Sequence, residues 1–443
     1  MSLAERRRLR LFTLCVLYVA QGIPWGFTAT TLPAYLVEHG VDASLLGAAL
    51  SFTTLPYTFK WVWGPIIDLV QIPRLGRRRP WIVFAQAMMA LTIFTMIALD
   101  LSTQIKLLAW TILIHTVFNA LQDVAVDALA VDLLDETERG RANGLMYGSK
   151  YFGGFIGGFC MANLIAWSGL DTALVVQTSI LLAIMLVPLL VSERGGPAPP
   201  RQAPRVIARA LAQAFSLRST IVTALLTMVL MFASGLMTVT ALQLFIDELK
   251  WDARDYTSIT GGYALALAGV LAGTAGFFVD KFGRRRLAAI ASCALAAGWI
   301  AWVLLEPYWS YRPLVYALGL YEAGCQATLS VAVFALCMDL SWPRIAGTQF
   351  SAYMALINFS TTLGYLFAGT ANEWWNVRAV YLVAGGIQLA ITLLLIPIDP
   401  TETRRKLAGA EGGPVNRAGL GALLAVLAIL VAFTIYQTLR VLG

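Results

Sequence analysis

Apolar segments of about 20 residues follow one another along the chain, with short polar stretches between them. A helix of about 20 residues crosses a hydrocarbon core of about 30 Å, so the pattern predicts an all-α membrane protein. We expect thirteen spans, at 11–36, 44–68, 80–100, 106–132, 142–166, 172–191, 220–246, 257–279, 287–305, 313–339, 346–370, 378–398 and 418–440. For the last of them, a helix lying on the membrane surface is the alternative.

The longest polar interruption, residues 192–218, is rich in Pro and Arg and separates six spans from six. We therefore predict an N-terminal six-helix bundle (1–191), a linker (192–218) and a C-terminal six-helix bundle (219–399). Residues 400–443 would form a cytoplasmic segment and the thirteenth helix. Within the linker, "RVIARALAQAF" favours either a short amphipathic helix on the membrane surface or a plain tether.

Basic residues are concentrated in alternate loops. "PRLGRRRP" and "DKFGRRR" are basic and "DETERGRAN" contains two arginines, whereas "VEHGVDAS" and "DLSTQIK" on the other side are not basic. Because Lys and Arg accumulate on the cytoplasmic side, we expect the N-terminus, the linker and 399–416 in the cytoplasm.

Only 13% of the residues are charged, whereas a soluble domain carries about 25%. The net charge of +7 lies in short loops, as in orientation signals, so we expect a lipid bilayer and no nucleic acid as partner. The five cysteines all fall in apolar runs without CxxC spacing, which indicates free thiols. We expect neither a metal site nor a cofactor.

One loop occurs twice. Residues 276–286 read "GFFVDKFGRRR", and residues 64–79 read "GPIIDLVQIPRLGRRR". A third turn, "LDETERGRANG", occupies residues 134–144. These loops resemble those of the major facilitator superfamily. The resemblance implies two six-helix bundles around a central cavity that rock to give alternating access. It also implies gate or scaffold roles for Asp68, Arg77, Asp132, Arg139, Asp280 and Arg284, with Asp132 pairing with the arginines at 77–79.

Four further segments are similar to the muropeptide permeases of the AmpG type, a family related to acetyl-CoA transporters and siderophore importers. They are "TFKWVWGPIIDL" (58–69), "GRRRPW" (76–81), "LQDVAVDALAVDLL" (121–134) and "GTQFSAYMAL" (347–356). This resemblance implies proton-driven import of anhydromuropeptides across a bacterial inner membrane. Siderophore or acyl-CoA transport is the alternative. The protein is expected to be a monomer.

Ionisable residues inside membrane spans are rare and face a cavity or a partner. On span four, His115, Asn119, Asp123 and Asp127 recur every four residues and form one polar stripe. At 1.5 Å per residue, Asp123 lies about 13 Å from Asp132, near the bilayer centre and level with Lys150 of span five. An Asp123–Lys150 pair that alternates with protonation would couple a proton to the gate, although a permanent structural pair is the alternative. His115 is expected to make a helix-end hydrogen bond.

The remaining candidates flank these polar groups or lie on span ten, the equivalent of span four in the second half. Proton coupling is assigned to Asp123, Asp127, Glu322 and Lys150. Lys60 would contact a substrate anion or pair with an Asp. Substrate binding is assigned to Lys60, Asn119, Gln122, Trp25, Tyr57, Tyr147, Tyr151 and Gln326, because aromatic faces pack against sugars. The glycines at 153, 154, 157 and 158 predict close helix packing.

Other classes of protein fit less well. An intramembrane acyltransferase would need a nucleophile–base set, and the lone intramembrane histidine lacks an evident partner. A receptor would usually carry a soluble output domain, and an ATP-driven pump would need a GxxxxGK[ST] loop, which does not occur. We therefore expect a secondary transporter of a small-molecule solute, with protons as the coupling ion, and no enzyme.

Overall fold

The structure, a computed structural model, describes residues 3, 6–63, 66–67, 76, 78–100, 103–134, 136–193, 204–342, 345–407 and 417–442. In this part of the chain the regular elements are helices, which confirms the all-α prediction. Among the described residues, seven helical segments are long and apolar enough to cross a membrane: Arg7–Glu38, Arg79–Ala98, Ile105–Ala130, Leu170–Leu190, Arg218–Glu248, Arg284–Leu304 and Arg312–Leu340.

The α-helices are numbered in chain order. The first ten are α1 (Arg7–Gly26), α2 (Leu32–Glu38), α3 (Ala43–Ser51), α4 (Leu55–Thr58), α5 (Arg79–Thr95), α6 (Ile105–Leu133), α7 (Glu136–Phe155), α8 (Met161–Ser168), α9 (Leu170–Leu190) and α10 (Pro204–Ala214). The others are α11 (Arg218–Val229), α12 (Phe232–Gln243), α13 (Ala253–Thr257), α14 (Ala264–Phe282), α15 (Arg284–Leu304), α16 (Arg312–Leu340), α17 (Ala346–Trp374), α18 (Val377–Leu393), α19 (Glu402–Leu407) and α20 (Arg417–Leu442).

The chain forms two compact units. One consists of Met1–Ala198 with Leu242–Gly273, and the other of Pro199–Ala241 with Thr274–Gly443. Residues 242–273, which the sequence analysis places in the C-terminal bundle, thus belong to the same compact unit as the first six spans. The bundle limits drawn from the sequence stay a prediction.

The second predicted span is not one continuous helix. After α3, a turn at residues 52–54 leads into α4, and a 3₁₀ turn, Lys60–Val62, follows. Pro56 disfavours a helical conformation for the residue before it, and it stands in the first turn of α4, where its missing N–H has no helical partner. The proline therefore accounts for the break.

Glycines set the closest helix contact of the first unit, between α1 and α7. A Cβ on Gly22 would stand 2.1 Å from the backbone oxygen of Lys150, and a Cβ on Gly157 would stand 1.9 Å from that of Ile23. No side chain fits at these distances. The predicted close packing of the glycine face is confirmed.

The linker contains the predicted short helix, α10. Its residues Ala210 and Ala214 are buried in a cluster with Trp342, Ile345 and Leu407. The apolar face of α10 therefore packs on protein in the second unit, so this segment is a helix and not a plain tether. The thirteenth predicted span is the helix α20, which packs against α11 and α17.

Candidate functional site

Three charged side chains meet within the first unit. Asp123, on α6, has Oδ2 3.3 Å from the Lys60 ammonium and Oδ1 3.9 Å from the Lys150 ammonium. Asp123 is only 6% exposed, whereas the Lys60 and Lys150 side chains are 18% and 25% exposed. The predicted Asp123–Lys150 pair is thus present, but Lys60 makes the shorter contact.

Asp127, one helical turn further along α6, has a different environment. The hydroxyl of Tyr18, on α1, donates a hydrogen bond to Asp127 Oδ1. The ring of Tyr147, on α7, packs edge-on against Tyr18, with the ring centroids 6.0 Å apart. Within the described residues, no Lys, Arg or His nitrogen lies at ion-pair distance from Asp127. Among the described residues, Asp123 therefore has two lysines at ion-pair distance and Asp127 has none, although both lysines interact with Asp127 electrostatically at longer range.

Backbone geometry brings these side chains together. The break in span two places Lys60 in the 3₁₀ turn that packs on α6. The contact of Gly22 with the Lys150 carbonyl holds α1 against α7 at the level of the cluster. Tyr18 lies one turn before Gly22 on α1, which places its hydroxyl beside Asp127.

The aromatic candidates lie around the charged cluster. Trp25 packs edge-on against Tyr151 with ring centroids 6.2 Å apart, and Tyr57 interacts electrostatically with both aspartates. Tyr147 is 49% exposed, and the other three are partly exposed. The rings are therefore not enclosed by the first unit, which an aromatic binding surface requires. Their role in binding stays a prediction.

Two amide candidates lie below the surface. Gln122 is 0% exposed and Asn119 is almost fully buried. Within the described residues, neither polar atom of the Gln122 side chain has a hydrogen-bond partner, nor has Oδ1 of Asn119. Buried polar atoms of this kind usually bind ordered water or a ligand. A solute does not reach Gln122 in this conformation.

The expectation for His115 is wrong. The side chain is buried inside the first unit, and its Nδ1 lies 2.8 Å from the Thr92 hydroxyl oxygen on α5. A buried imidazole needs a polar partner, and here the partner comes from the neighbouring helix and not from a helix end.

The second unit contains a separate polar group on α16. Trp299 donates its indole N–H to Glu322 at 2.9 Å. One turn later, Gln326 accepts a hydrogen bond from Ser234 at 2.7 Å, and its amide lies 2.9 Å from the sulfur of Met231. Within the described residues, Glu322 has no cation at ion-pair distance. Glu322 therefore resembles Asp127 in lacking a cationic partner.

The ends of the helices that carry the arginine-rich loops show the same arrangement in both units. Arg78 pairs with Asp132 at 2.9 Å, and Arg284 pairs with Asp339. Each aspartate occupies the penultimate position of a 29-residue helix, α6 or α16. The next arginine in each loop donates to backbone carbonyls, at residues 188 and 189 in one unit and 396 and 398 in the other. The same kinds of contact therefore occur at both copies of the repeated loop, shifted by one residue, because Arg77 is the residue that aligns with Arg284 in the sequence.

The structure does not describe the side chains of four gate or scaffold candidates. Asp68 and Arg77 lie outside the described residues, and for Arg139 and Asp280 the structure describes the helical backbone but not the side chain. Within the described residues, no group of His, Cys, Asp and Glu has the arrangement of a metal site.

The sequence analysis missed Tyr18, Trp299 and Asp339. A signal was present for Tyr18, because positions 18, 21 and 25 carry Tyr, Gln and Trp at helical spacing on one face of the first span. Asp339 could have been found by extending the repeat, since it ends span ten as Asp132 ends span four. Trp299 had no signal in the sequence.

The sequence matches the family model of the Major Facilitator Superfamily over residues 14–272 and 223–442. The anhydromuropeptide permease of Escherichia coli (strain K12) is 24% identical over 392 residues, which is 86% of this chain and 78% of that protein. The putative transporter AmpG 1 of Rickettsia conorii is 32% identical over 164 residues, 35% of this chain and 37% of that protein. These relatives confirm the resemblance to AmpG-type permeases.

Solved structures have the same fold. A D-xylose–proton symporter has a TM-score of 0.68 and 14% identity, over 88% of this chain and 99% of that one. A POT family transporter in complex with 5-aminolevulinic acid has a TM-score of 0.69 and 12% identity, over 89% of this chain and 96% of that one.

Proposed function

Since the chain belongs to the Major Facilitator Superfamily, we propose that it imports anhydromuropeptides together with protons by alternating access. The protein is a multi-pass membrane transporter and not an enzyme, because its relatives and structural neighbours are transporters. The similarity to an anhydromuropeptide permease over 86% of the chain supports the substrate. The location that this relative suggests is a bacterial inner membrane, with the N-terminus in the cytoplasm.

Proton coupling is supported by the contrast between Asp123 and Asp127. Asp123 is held between two ammonium groups, so protonating it would leave both lysines without a partner. Asp127 has a tyrosine hydroxyl as its partner and no cation at ion-pair distance within the described residues. A proton can neutralise Asp127 without breaking an ion pair. We therefore assign the transported proton to Asp127, with Glu322 as the second candidate.

The other residues of the cluster have supporting roles in this proposal. Lys60 and Lys150 balance the charge of Asp123. Lys150 links α7 to α6 through this contact, and Lys60 links the 3₁₀ turn to α6. Trp25, Tyr147 and Tyr151 offer aromatic faces to the sugar rings. Siderophore or acyl-CoA transport remains the second candidate, and it rests on the family alone.

The test is uptake of radiolabelled GlcNAc–anhydroMurNAc peptide into proteoliposomes, with and without an inward proton gradient. We expect the wild type to accumulate the muropeptide only with the gradient. Asp127→Asn should lose this accumulation but keep exchange of labelled for unlabelled solute, because the amide imitates the protonated carboxyl. Asp123→Asn should reduce both activities, since it leaves two lysines facing a neutral group.

Asp171→Asn is the matched control, because Asp171 is an exposed residue in the first turn of α9 and should not affect uptake. Accumulation that survives Asp127→Asn would move the proton site to Glu322. A wild type that neither accumulates nor exchanges muropeptides would overturn the substrate, and siderophores would be tested next.

A further inference from the structure

We propose that the transported solute is recognised through an anionic group, a carboxylate, which binds the ammonium of Lys150 beside the rings of Tyr147 and Tyr151 while Asp127 is protonated. The inference rests on the proposed function and adds the chemical group that the site selects. It also assigns Lys150 to solute binding, beyond its role as a partner of Asp123.

Asp127 can be ionised or protonated, and in the protonated state the charges of the cluster require an additional anion. Lys60, Lys150 and Asp123 together carry one positive charge, because a single carboxylate is shared by two ammonium groups. An ionised Asp127 balances this charge and a protonated Asp127 does not. Since an unbalanced charge at membrane depth is costly, the protonated state favours binding of an external anion.

Lys150 is the more available of the two lysines. Its ammonium lies 3.9 Å from Asp123, against 3.3 Å for that of Lys60, and its side chain is the more exposed. A charged group inside a membrane protein does not expose its surface to lipid, so the exposed part of Lys150 faces water or a ligand. Binding an anion there needs only a small displacement from Asp123, which keeps Lys60 as its partner.

The neighbours of Lys150 suit an acidic sugar. Tyr147, Lys150 and Tyr151 lie on one arc of α7, at spacings of three and four residues. Tyr147 is the most exposed of the aromatic candidates, and Trp25 supports Tyr151 from the edge. Aromatic rings pack against the apolar faces of sugars, and an ammonium beside them binds a carboxylate on the same solute.

The proton and the anion should therefore favour each other's binding. The groups that interact with Asp127 are Asp123 on its own helix, Tyr18 on α1, Tyr57 on α4, Lys60 in the 3₁₀ turn, and Tyr147 and Lys150 on α7. Adding a proton to Asp127 removes the negative charge that competes for the two lysines. By thermodynamic linkage, the bound anion must increase proton binding at Asp127 by the same factor.

The probe is a matched pair of ligands: GlcNAc–anhydroMurNAc–L-alanine with its free C-terminal carboxylate, and the same compound with a C-terminal carboxamide. Affinities for the purified full-length protein would be measured by isothermal titration between pH 5.5 and 8. We expect the acid to bind wild type about 10-fold more tightly than the carboxamide at pH 5.5, with a smaller preference at pH 8. Lys150→Gln should lose the preference and Lys150→Arg should keep it.

Two measurements separate this effect from misfolding. The carboxamide should bind Lys150→Gln as well as it binds wild type, because it makes no ionic contact. Asp127→Asn should prefer the acid at every pH, since its neutral amide imitates the protonated state. Equal binding of acid and carboxamide by wild type would overturn the inference and leave the proposed function standing. Binding of neither ligand would overturn the proposed function and the inference together.

Discussion

Asp123 and Asp127 show how much the surroundings of a side chain decide its chemistry. The two residues have the same side chain, on the same helix, one turn apart. Asp123 faces two lysines and Asp127 faces a tyrosine hydroxyl. Removing a partner from a buried ion pair leaves an uncompensated charge, which is far more costly than protonating a carboxyl that lacks a cation. Their different roles in the proposed mechanism follow from this contrast.

A residue-scale prediction concerns Glu306, which lies in the turn after α15 and binds Arg378. The hydrogen bond from Arg378 holds the pKa of the Glu306 carboxyl below its ordinary value. The pair should therefore stabilise the folded protein above the ordinary Glu pKa of about 4.3, and lose this effect as the pH falls through the lowered value. Glu306→Gln should lower the melting temperature at pH 7, and the deficit should close in acid.

The matched control is Glu38→Gln, because Glu38 is an exposed carboxylate at the end of α2. Its melting temperature should follow the wild type at every pH. A Glu306→Gln deficit that stays constant down to pH 3 would show that lost packing, and not the charge of Glu306, is responsible.

At the scale of the elements, the helices are interrupted where their packing is closest. In the first unit, π-helical turns occupy residues 27–31 and 156–160, next to the glycine contact of α1 with α7. The Thr31 hydroxyl donates to the carbonyls of Gly157 and Gly158 at 2.9 and 2.7 Å. The second unit repeats the close contact between α12 and α17, where a Cβ on Gly364 would stand 2.3 Å from the Phe232 oxygen. At these contacts the helices are therefore held by the close approach of glycine backbones and by a threonine hydroxyl, and not by interlocking apolar side chains.

The element-scale prediction tests this packing. Gly157→Ala would place a Cβ 1.9 Å from the Ile23 oxygen, which is backbone and can yield only if the helices separate. We expect a loss of about 2 kcal/mol or more in stability, at the upper end of what overpacking costs, seen as a lower melting temperature and a smaller folded yield. Gly148→Ala is the control on the preceding helix, because its Cβ would meet no atom within 4 Å. The control should be neutral or gain up to about 1 kcal/mol from helix propensity.

Equal stability of the two alanine variants would contradict the packing described for α1. It would mean that this contact loosens without cost, for instance in a second conformation of the transporter.

At the scale of the whole molecule, the chain is built from a repeated half and an added helix. Each half pairs an arginine at the start of its third span with an aspartate at the end of its fourth, Arg78 with Asp132 and Arg284 with Asp339. The helix α20 has no counterpart in this repeat. It lies on α11 and α17 and leaves side chains such as Ile429 and Tyr436 exposed, as a lipid-facing helix does.

The whole-molecule prediction is that α20 crosses the membrane. Its 26 residues would extend about 39 Å, which exceeds a hydrocarbon core of about 30 Å. Alkaline phosphatase fused after Gly443 should then be active outside the cytoplasm, and green fluorescent protein fused after Gly413 should fluoresce inside. Fluorescence from a fusion at Gly443 would mean that α20 lies on the cytoplasmic surface.

The fold and much of the candidate site were predictable because the apolar interior of a lipid bilayer restricts which sequences and structures can cross it. Long apolar runs must become helices, a buried charge needs a partner, and loops signal orientation and family. The polar stripe that contains Asp123 and Asp127 follows from these rules. So does the ion pair between Asp132 and an arginine at 77–79. Lys60 could be recognised as a candidate for the same reason, but its distance from Asp123 depends on the break that Pro56 makes in span two.

The sequence by itself therefore determined the class of protein, the order of its long apolar helices, the repeated loop and which polar residues those helices carry. Tertiary structure alone decided which of them meet: Lys60 with Asp123, Tyr18 with Asp127, Trp299 with Glu322 and His115 with Thr92. Helical periodicity defines the face on which a side chain lies, but not the rotation and depth of the neighbouring helix. Those depend on glycine contacts and helix breaks far away in the chain, and they separate a carboxyl bound to two lysines from one bound to a tyrosine hydroxyl.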